Sequence, residues 1–280
     1  EVIRRPPPGT RVLGAHLEGP FLNPERRGAH PQPWLRRPDP VLARELLGLT
    51  PLSMSAAART GPGVVAVLTL APELDGAHAV LSLAREAGVV VSLGHSAATT
   101  EQAHAAFDAG ATMVTHLWNA QSPVTARAAG LTGVALARPG VFAGLIADLA
   151  HVHADTLRFS LAALGGRAFV VSDAVALAGS TMAARLRPDG RREHIEGTAV
   201  RFDDGSLAGS ATGLDQALRN LVALGLSLPA ALATITRTPA LALGRRDLGR
   251  LSPGGEADVV VLNEDLTIAS VLVAGVAVDV

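Results

Sequence analysis

Four polar residues stand at the ends of short apolar runs. His95 follows Val89-Val90-Val91-Ser92-Leu93-Gly94, and His116 follows Met113-Val114-Thr115. Glu18 closes Gly14-Ala15-His16-Leu17, and Asp173 closes Phe169-Val170-Val171-Ser172. Glu18, His95 and His116 make a three-ligand set that leaves a fourth position for water, the arrangement of a catalytic zinc. A carboxylate beside such a water can take its proton and pass it to a leaving amine, which is the role open to Asp173. Taken singly, each histidine equally suits a strand end with its imidazole satisfied by a neighbour. Asp173 equally suits a helix N-cap or turn.

Other residues fall near these ends. His151 lies just past the run ending at Asp148 and is placed to orient a substrate, while Asp148 itself also reads as a turn residue. Arg127 and His30 sit in loops on the same presumed face, a cationic pair suited to an anionic group such as phosphate. His16 is one pleat deeper than Glu18, in a supporting position. Other chemistries find no motif: there is no Lys for a phosphate loop, no Gly-x-Gly-x-x-Gly after a strand, and Gly94-His95-Ser96 is not a nucleophile elbow.

The elements that must position these residues follow from pattern. Buried-strand runs are predicted at 10–17, 64–70, 89–93, 111–115, 142–147 and 168–172. They alternate with helices at about 39–48, 74–86, 99–110 and 155–164. Asp39-Pro40 is an N-cap followed by Pro at the first helical position, and Thr99 with Gln102 forms a capping box. Six such strands imply a parallel α/β sheet whose strand ends carry the chemistry, as in an α/β barrel. A closed barrel needs eight, so two strand–helix units are expected to precede the first strand. Residues 1–9 and 19–38 read as loops and 49–62 as an exposed insertion.

Beyond Ala174 the pattern changes to turn signals at Pro188-Asp189-Gly190 and Asp203-Asp204-Gly205, with one β-like run at 198–202. Two helices are expected near 214–222 and from 227, then antiparallel strands at 257–262 and 268–278. These last strands are expected to lack partners of their own. The resulting division is a partial barrel over 1–245 and strands of a small β domain over 246–280.

Composition agrees with a core-forming globular chain. Of 280 residues 48% are hydrophobic and 18% charged, and aromatics reach only 3%, so Val, Leu and Ala must fill the interior. A net charge of -1 gives no reason to expect nucleic acid or an anionic membrane as partner. With no Cys, any metal must sit on nitrogen and oxygen donors. No apolar stretch reaches the roughly 18 residues of a spanning helix, and the first residues lack the apolar core of a signal peptide. The expectation is a soluble, cytoplasmic protein.

Several segments resemble the N-acetylglucosamine-6-phosphate deacetylase family of the amidohydrolase superfamily. They are His16-Leu17-Glu18-Gly19-Pro20-Phe21-Leu22-Asn23-Pro24 with Gly28-Ala29-His30-Pro31, Thr69-Leu70-Ala71-Pro72-Glu73, and Gly94-His95-Ser96. Thr115-His116-Leu117-Trp118-Asn119-Ala120, Ser172-Asp173-Ala174 and Leu207-Ala208-Gly209-Ser210 complete the set. The resemblance implies a (β/α)8 TIM-type amidohydrolase barrel lacking its first two strands, with C-terminal strands of a β-sandwich. It implies Glu18, His95 and His116 as ligands of one divalent metal per subunit, zinc or else Fe2+, Co2+ or Mn2+, and Asp173 as acid/base. It also implies His30, Asn119, the Ala120 backbone, Arg127 and His151 as contacts to an amino-sugar phosphate. A homodimer is expected, because the family's phosphate-binding Arg can come from the neighbouring subunit. The expected reaction is removal of acetate from the 2-amino group. The alternatives are an amidohydrolase with an altered substrate, or a non-catalytic sugar-phosphate-binding remnant.

Overall fold

The computed structural model describes Ile3, Arg5 and residues 10–49 and 64–278. The Pro-rich opening and the expected insertion fall almost wholly outside these residues. Six parallel strands follow one another in space as they do in sequence: β1 (Ala15–Glu18), β2 (Val65–Leu70), β3 (Val90–Leu93), β4 (Met113–Val114), β5 (Phe142–Ile146) and β6 (Ala168–Val171). Because the order never reverses, every crossover passes over the same face of the sheet, which is barrel winding and not the doubly wound kind. The six strands form part of a (β/α)8 barrel, with β1 and β6 as its edges among the described residues.

One helix fills each crossover: α1 (Pro40–Leu46), α2 (Ala77–Glu86), α3 (Thr100–Asp108), α4 (Gly130–Ala137) and α5 (Ala154–Leu164). Their starts obey local chemistry. The Asp39 side chain accepts from the Val41 N–H with Pro40 at the first position, and Thr99 and Gln102 exchange both bonds of a capping box. The inner faces of α2, α3 and α5 and the sheet close on one core, in which Leu68, Leu70, Leu93, Leu117, Leu131, Leu145 and Leu157 are essentially inaccessible. Sequence pattern missed α4. Two Gly and a Thr interrupt it, and it is buried nearly all round, so no polar face marks its period.

Between β6 and the last helices lies a four-stranded antiparallel sheet in the order β10-β9-β8-β7, of which pattern revealed only the run at 198–202. Its strands are β7 (Ala184–Leu186), β8 (Arg192–Glu196), β9 (Ala199–Phe202) and β10 (Leu207–Ser210). Strand β8 reads Arg-Glu-His-Ile-Glu, too polar for a hydrophobic alternation to show. A small cluster of Leu177, Val200, Phe202 and Ala208 supports this sheet. Helices α6 (Leu214–Ala223), α7 (Leu228–Ile235) and α8 (Arg237–Ala242) follow.

The tail departs from expectation. Strands β11 (Val259–Leu262), β12 (Ile268–Val273) and β13 (Val276–Val278) pair with one another as an antiparallel sheet, so they do have partners. Ala274-Gly275, both at positive φ, split the expected 268–278 strand into a hairpin. No helix among the described residues is long and apolar enough to cross a membrane.

Candidate metal centre and cavity

Glu18 ends β1, His95 lies two residues past β3 and His116 two past β4. Parallel strands end at one rim, so residues distant in sequence meet there. His95 Nε2 lies 2.9 Å from Glu18 Oε1, His116 Nε2 lies 2.8 Å from the same oxygen, and the two Nε2 atoms are 3.1 Å apart. The imidazoles are buried, 4% and 6% exposed, while the Glu18 side chain keeps 27%.

The donor set fits a cation. His95 Nδ1–H donates to the Arg26 carbonyl at 2.7 Å, which leaves the Nε2 lone pair facing Glu18 and His116. His116 Nδ1 is buried with no partner among the described residues. Two imidazole nitrogens crowded on one carboxylate oxygen need a positive charge among them, and two nitrogens with one oxygen are a set suited to zinc and other first-row divalent ions. Burial opposes the Glu18 charge, yet the close imidazoles of His116, His30 and His95 outweigh it and hold Glu18 far below the usual carboxylate range. Burial pushes His95 down despite the neighbouring Glu18. Burial also acts against a proton on His116, but its hydrogen bond to Glu18 and the charges of Glu18 and Asp173 prevail and raise it.

Loops from three strands are stitched around His95. The Glu73 carboxylate accepts from the Ser96 hydroxyl at 2.7 Å, the Ala97 N–H at 2.6 Å and the Asn23 amide at 2.9 Å. The Asn23 N–H in turn donates to the His95 carbonyl. Gly28, at φ +53°, passes so close that a Cβ there would lie 3.1 Å from His95 Cε1. Below the centre, His16, Thr69, Thr115 and Ser92 form a hydrogen-bonded chain across β1 to β4, with links of 2.6–2.7 Å.

A cavity of about 460 Å³ opens over this centre. Asp173, His151, His30, Asn119 and Ala120 all line it. The Ala120 N–H makes no hydrogen bond among the described residues and is free for a ligand. His151 Nδ1 donates to Asp148 at 2.7 Å, and Asp148 also accepts the N–H groups of Ala150 and His151. Asp148, 2% exposed, is therefore both the turn residue and the group that aims His151. Arg127 is the exception: it is exposed on the 122–129 segment and does not line this cavity. The far wall comes from β10 and from Arg187, just past β7. Sequence reasoning passed over Glu73, Arg26 and Arg187, and it weighed Asp148 only as a turn residue. Glu73 stood within a family-like segment, and Asp148 carried the strand-end signal.

A parallel barrel rim that converges two histidines, a glutamate and a further carboxylate in one cleft defines a metal-dependent hydrolase of the barrel type. The chain belongs to the amidohydrolase family, whose model matches residues 11–278. It is 36% identical to an N-acetylgalactosamine-6-phosphate deacetylase of Escherichia coli O157:H7, over 96% of this chain and 68% of that protein. It is also 36% identical to the N-acetylglucosamine-6-phosphate deacetylase of Mus musculus, over 96% of this chain and 65% of that one. The chain thus spans about two thirds of the length of these relatives. The crystal structure of the N-acetylglucosamine-6-phosphate deacetylase from Pasteurella multocida superposes with a TM-score of 0.87 at 29% identity, covering 96% of this chain and 68% of that chain. The enzyme of the same name from Mycobacterium smegmatis gives 0.84 at 34% identity, covering 95% and 69%.

Proposed function

We propose that the chain removes acetate from N-acetylglucosamine 6-phosphate, giving glucosamine 6-phosphate. The observation that carries this reading is the convergence of Glu18, His95 and His116 in the cavity that Asp173 also lines. A divalent ion held by those three, zinc in the first place, would supply Lewis acidity to the amide carbonyl and to the attacking water. Asp173 takes the proton of that water and delivers it to the departing amine nitrogen as the C–N bond breaks and acetate forms. His151, held by Asp148, orients the sugar phosphate together with His30, Asn119 and the free Ala120 N–H. Arg127, exposed and outside its own cavity, serves the cavity of a second copy, so the working form is a homodimer, and the reaction belongs to the cytoplasm.

The test is acetate release by the zinc-loaded protein, with the 2-acetamido-galactose 6-phosphate epimer and unphosphorylated N-acetylglucosamine alongside. Turnover of the glucose-configured phosphate well above the other two supports the reading. Stoichiometric metal without acetate release from any of them overturns it, and preference for the galactose epimer reassigns the substrate.

A further inference from the structure

The cavity holds a cationic group for which the proposed contacts leave no task. Arg26 belongs to the 3-10 turn Pro24–Arg26, and its carbonyl orients His95. Arg26 lines the cavity, its side chain makes no ion pair or hydrogen bond among the described residues, and its Nε is buried without an acceptor. Glu25 beside it also lines the cavity but forms no pair with it. Buried donors in native proteins nearly always find acceptors, so an unpartnered guanidinium at a residue lining a ligand cleft is suited to take an anion there.

The neighbouring arginines make the contrast. Arg187 NH1 lies 3.5 Å from the wholly buried Glu193, with Asp189 at 3.9 Å, and its guanidinium sits over the Phe202 ring. Arg191 pairs with Asp189 at 2.7 Å and stacks on the same ring at 4.1 Å. Both have carboxylate partners; Arg26 has none among the described residues. We propose that Arg26 is a specificity-determining residue that takes the anionic group of the substrate within its own subunit. Planar, permanently charged and donor-rich, a guanidinium is matched to phosphate oxygens.

This inference rests on the sugar-phosphate reading above, so its test separates the two. Binding of glucosamine 6-phosphate and of glucosamine is measured by calorimetry on the zinc-loaded protein and on Arg26→Gln and Arg26→Lys. Arg26→Gln should weaken the phosphorylated ligand roughly 10- to 100-fold and leave glucosamine unchanged, with zinc content intact because the backbone carbonyl still holds His95. Arg26→Lys, which keeps the charge, should recover part of the loss. Equal binding of the phosphate by wild type and Arg26→Gln overturns the inference alone, as does an equal loss for both sugars. No binding of glucosamine 6-phosphate by the wild type overturns the functional reading and this inference with it.

Discussion

His95, His116 and Asp173 each follow a parallel strand with positive φ, at 49°, 29° and 52°. Non-glycine residues in that region carry strain of about 1–3 kcal/mol each, tolerated where the surroundings fix the conformation. Here the fixing groups are visible. The Arg26 carbonyl and Glu73 hold the His95 segment, Gly144 accepts from the Leu117 N–H beside His116, and the Asp173 carbonyl accepts from Ser210. The strained turn swings each side chain off the strand axis and onto the rim of the cavity. Residue types at strand ends were legible because an ionisable group after an apolar run has few structural uses. Arg26 was not, because its meaning depends on a missing acceptor and so on three-dimensional neighbours. The backbone at Asp173 also chooses the right probe, since Asn is among the residues best suited to positive φ. Asp173→Asn should keep the fold and the bound metal while the rate of acetate release falls by about 10²–10⁴-fold. Metal analysis alongside kinetics checks both halves, and undiminished turnover would remove Asp173 from the reaction.

Strands and capped helices were readable where one short-range rule decides the outcome. The apolar runs of β2, β3, β5 and β6 and the caps at Asp39 and Thr99 are of this kind. The antiparallel sheet was largely hidden, since its pairing depends on long-range register and its inner strand β8 is highly charged. Yet that sheet helps to place Asp173. Strand β10 meets the segment after β6 through Ser210 N–H to the Asp173 carbonyl at 2.9 Å and Val175 N–H to the Ser210 carbonyl at 3.2 Å. Gly209 permits this approach at φ +147°, where an added Cβ would lie 2.5 Å from Val175 Cγ1 and 2.9 Å from the Asp173 oxygen. Gly209→Ala should therefore push β10 off the Asp173 segment, costing about 1–3 kcal/mol of stability and lowering the rate without lowering metal content. Denaturant unfolding and metal analysis read the two effects. A variant of unchanged stability and rate would show that β10 does not position the acid/base.

At the scale of the molecule, the centre ties strands β1, β3 and β4 together through groups 77 and 98 positions apart in the chain. An unfolded chain cannot present such a set preassembled, so an ion that binds it favours the folded state alone. At a free metal concentration 100 times its dissociation constant the gain is about 2.7 kcal/mol. For a protein of this size that corresponds to a rise in Tm of several degrees. Without a cation to share, the nitrogens of His95 and His116, 3.1 Å apart, crowd one Glu18 oxygen, and His116 Nδ1 has no partner among the described residues. Thermal unfolding of chelator-treated protein should accordingly begin lower and rise on titration with zinc, in a way that depends on free metal concentration. His116→Ala removes one of three donors and should abolish most of that rise, while Arg127→Ala, outside the centre, should leave it whole. If His116→Ala gains as much from zinc as the wild type does, the ion is bound elsewhere, and the convergence of these three strand ends is not what a metal recognises.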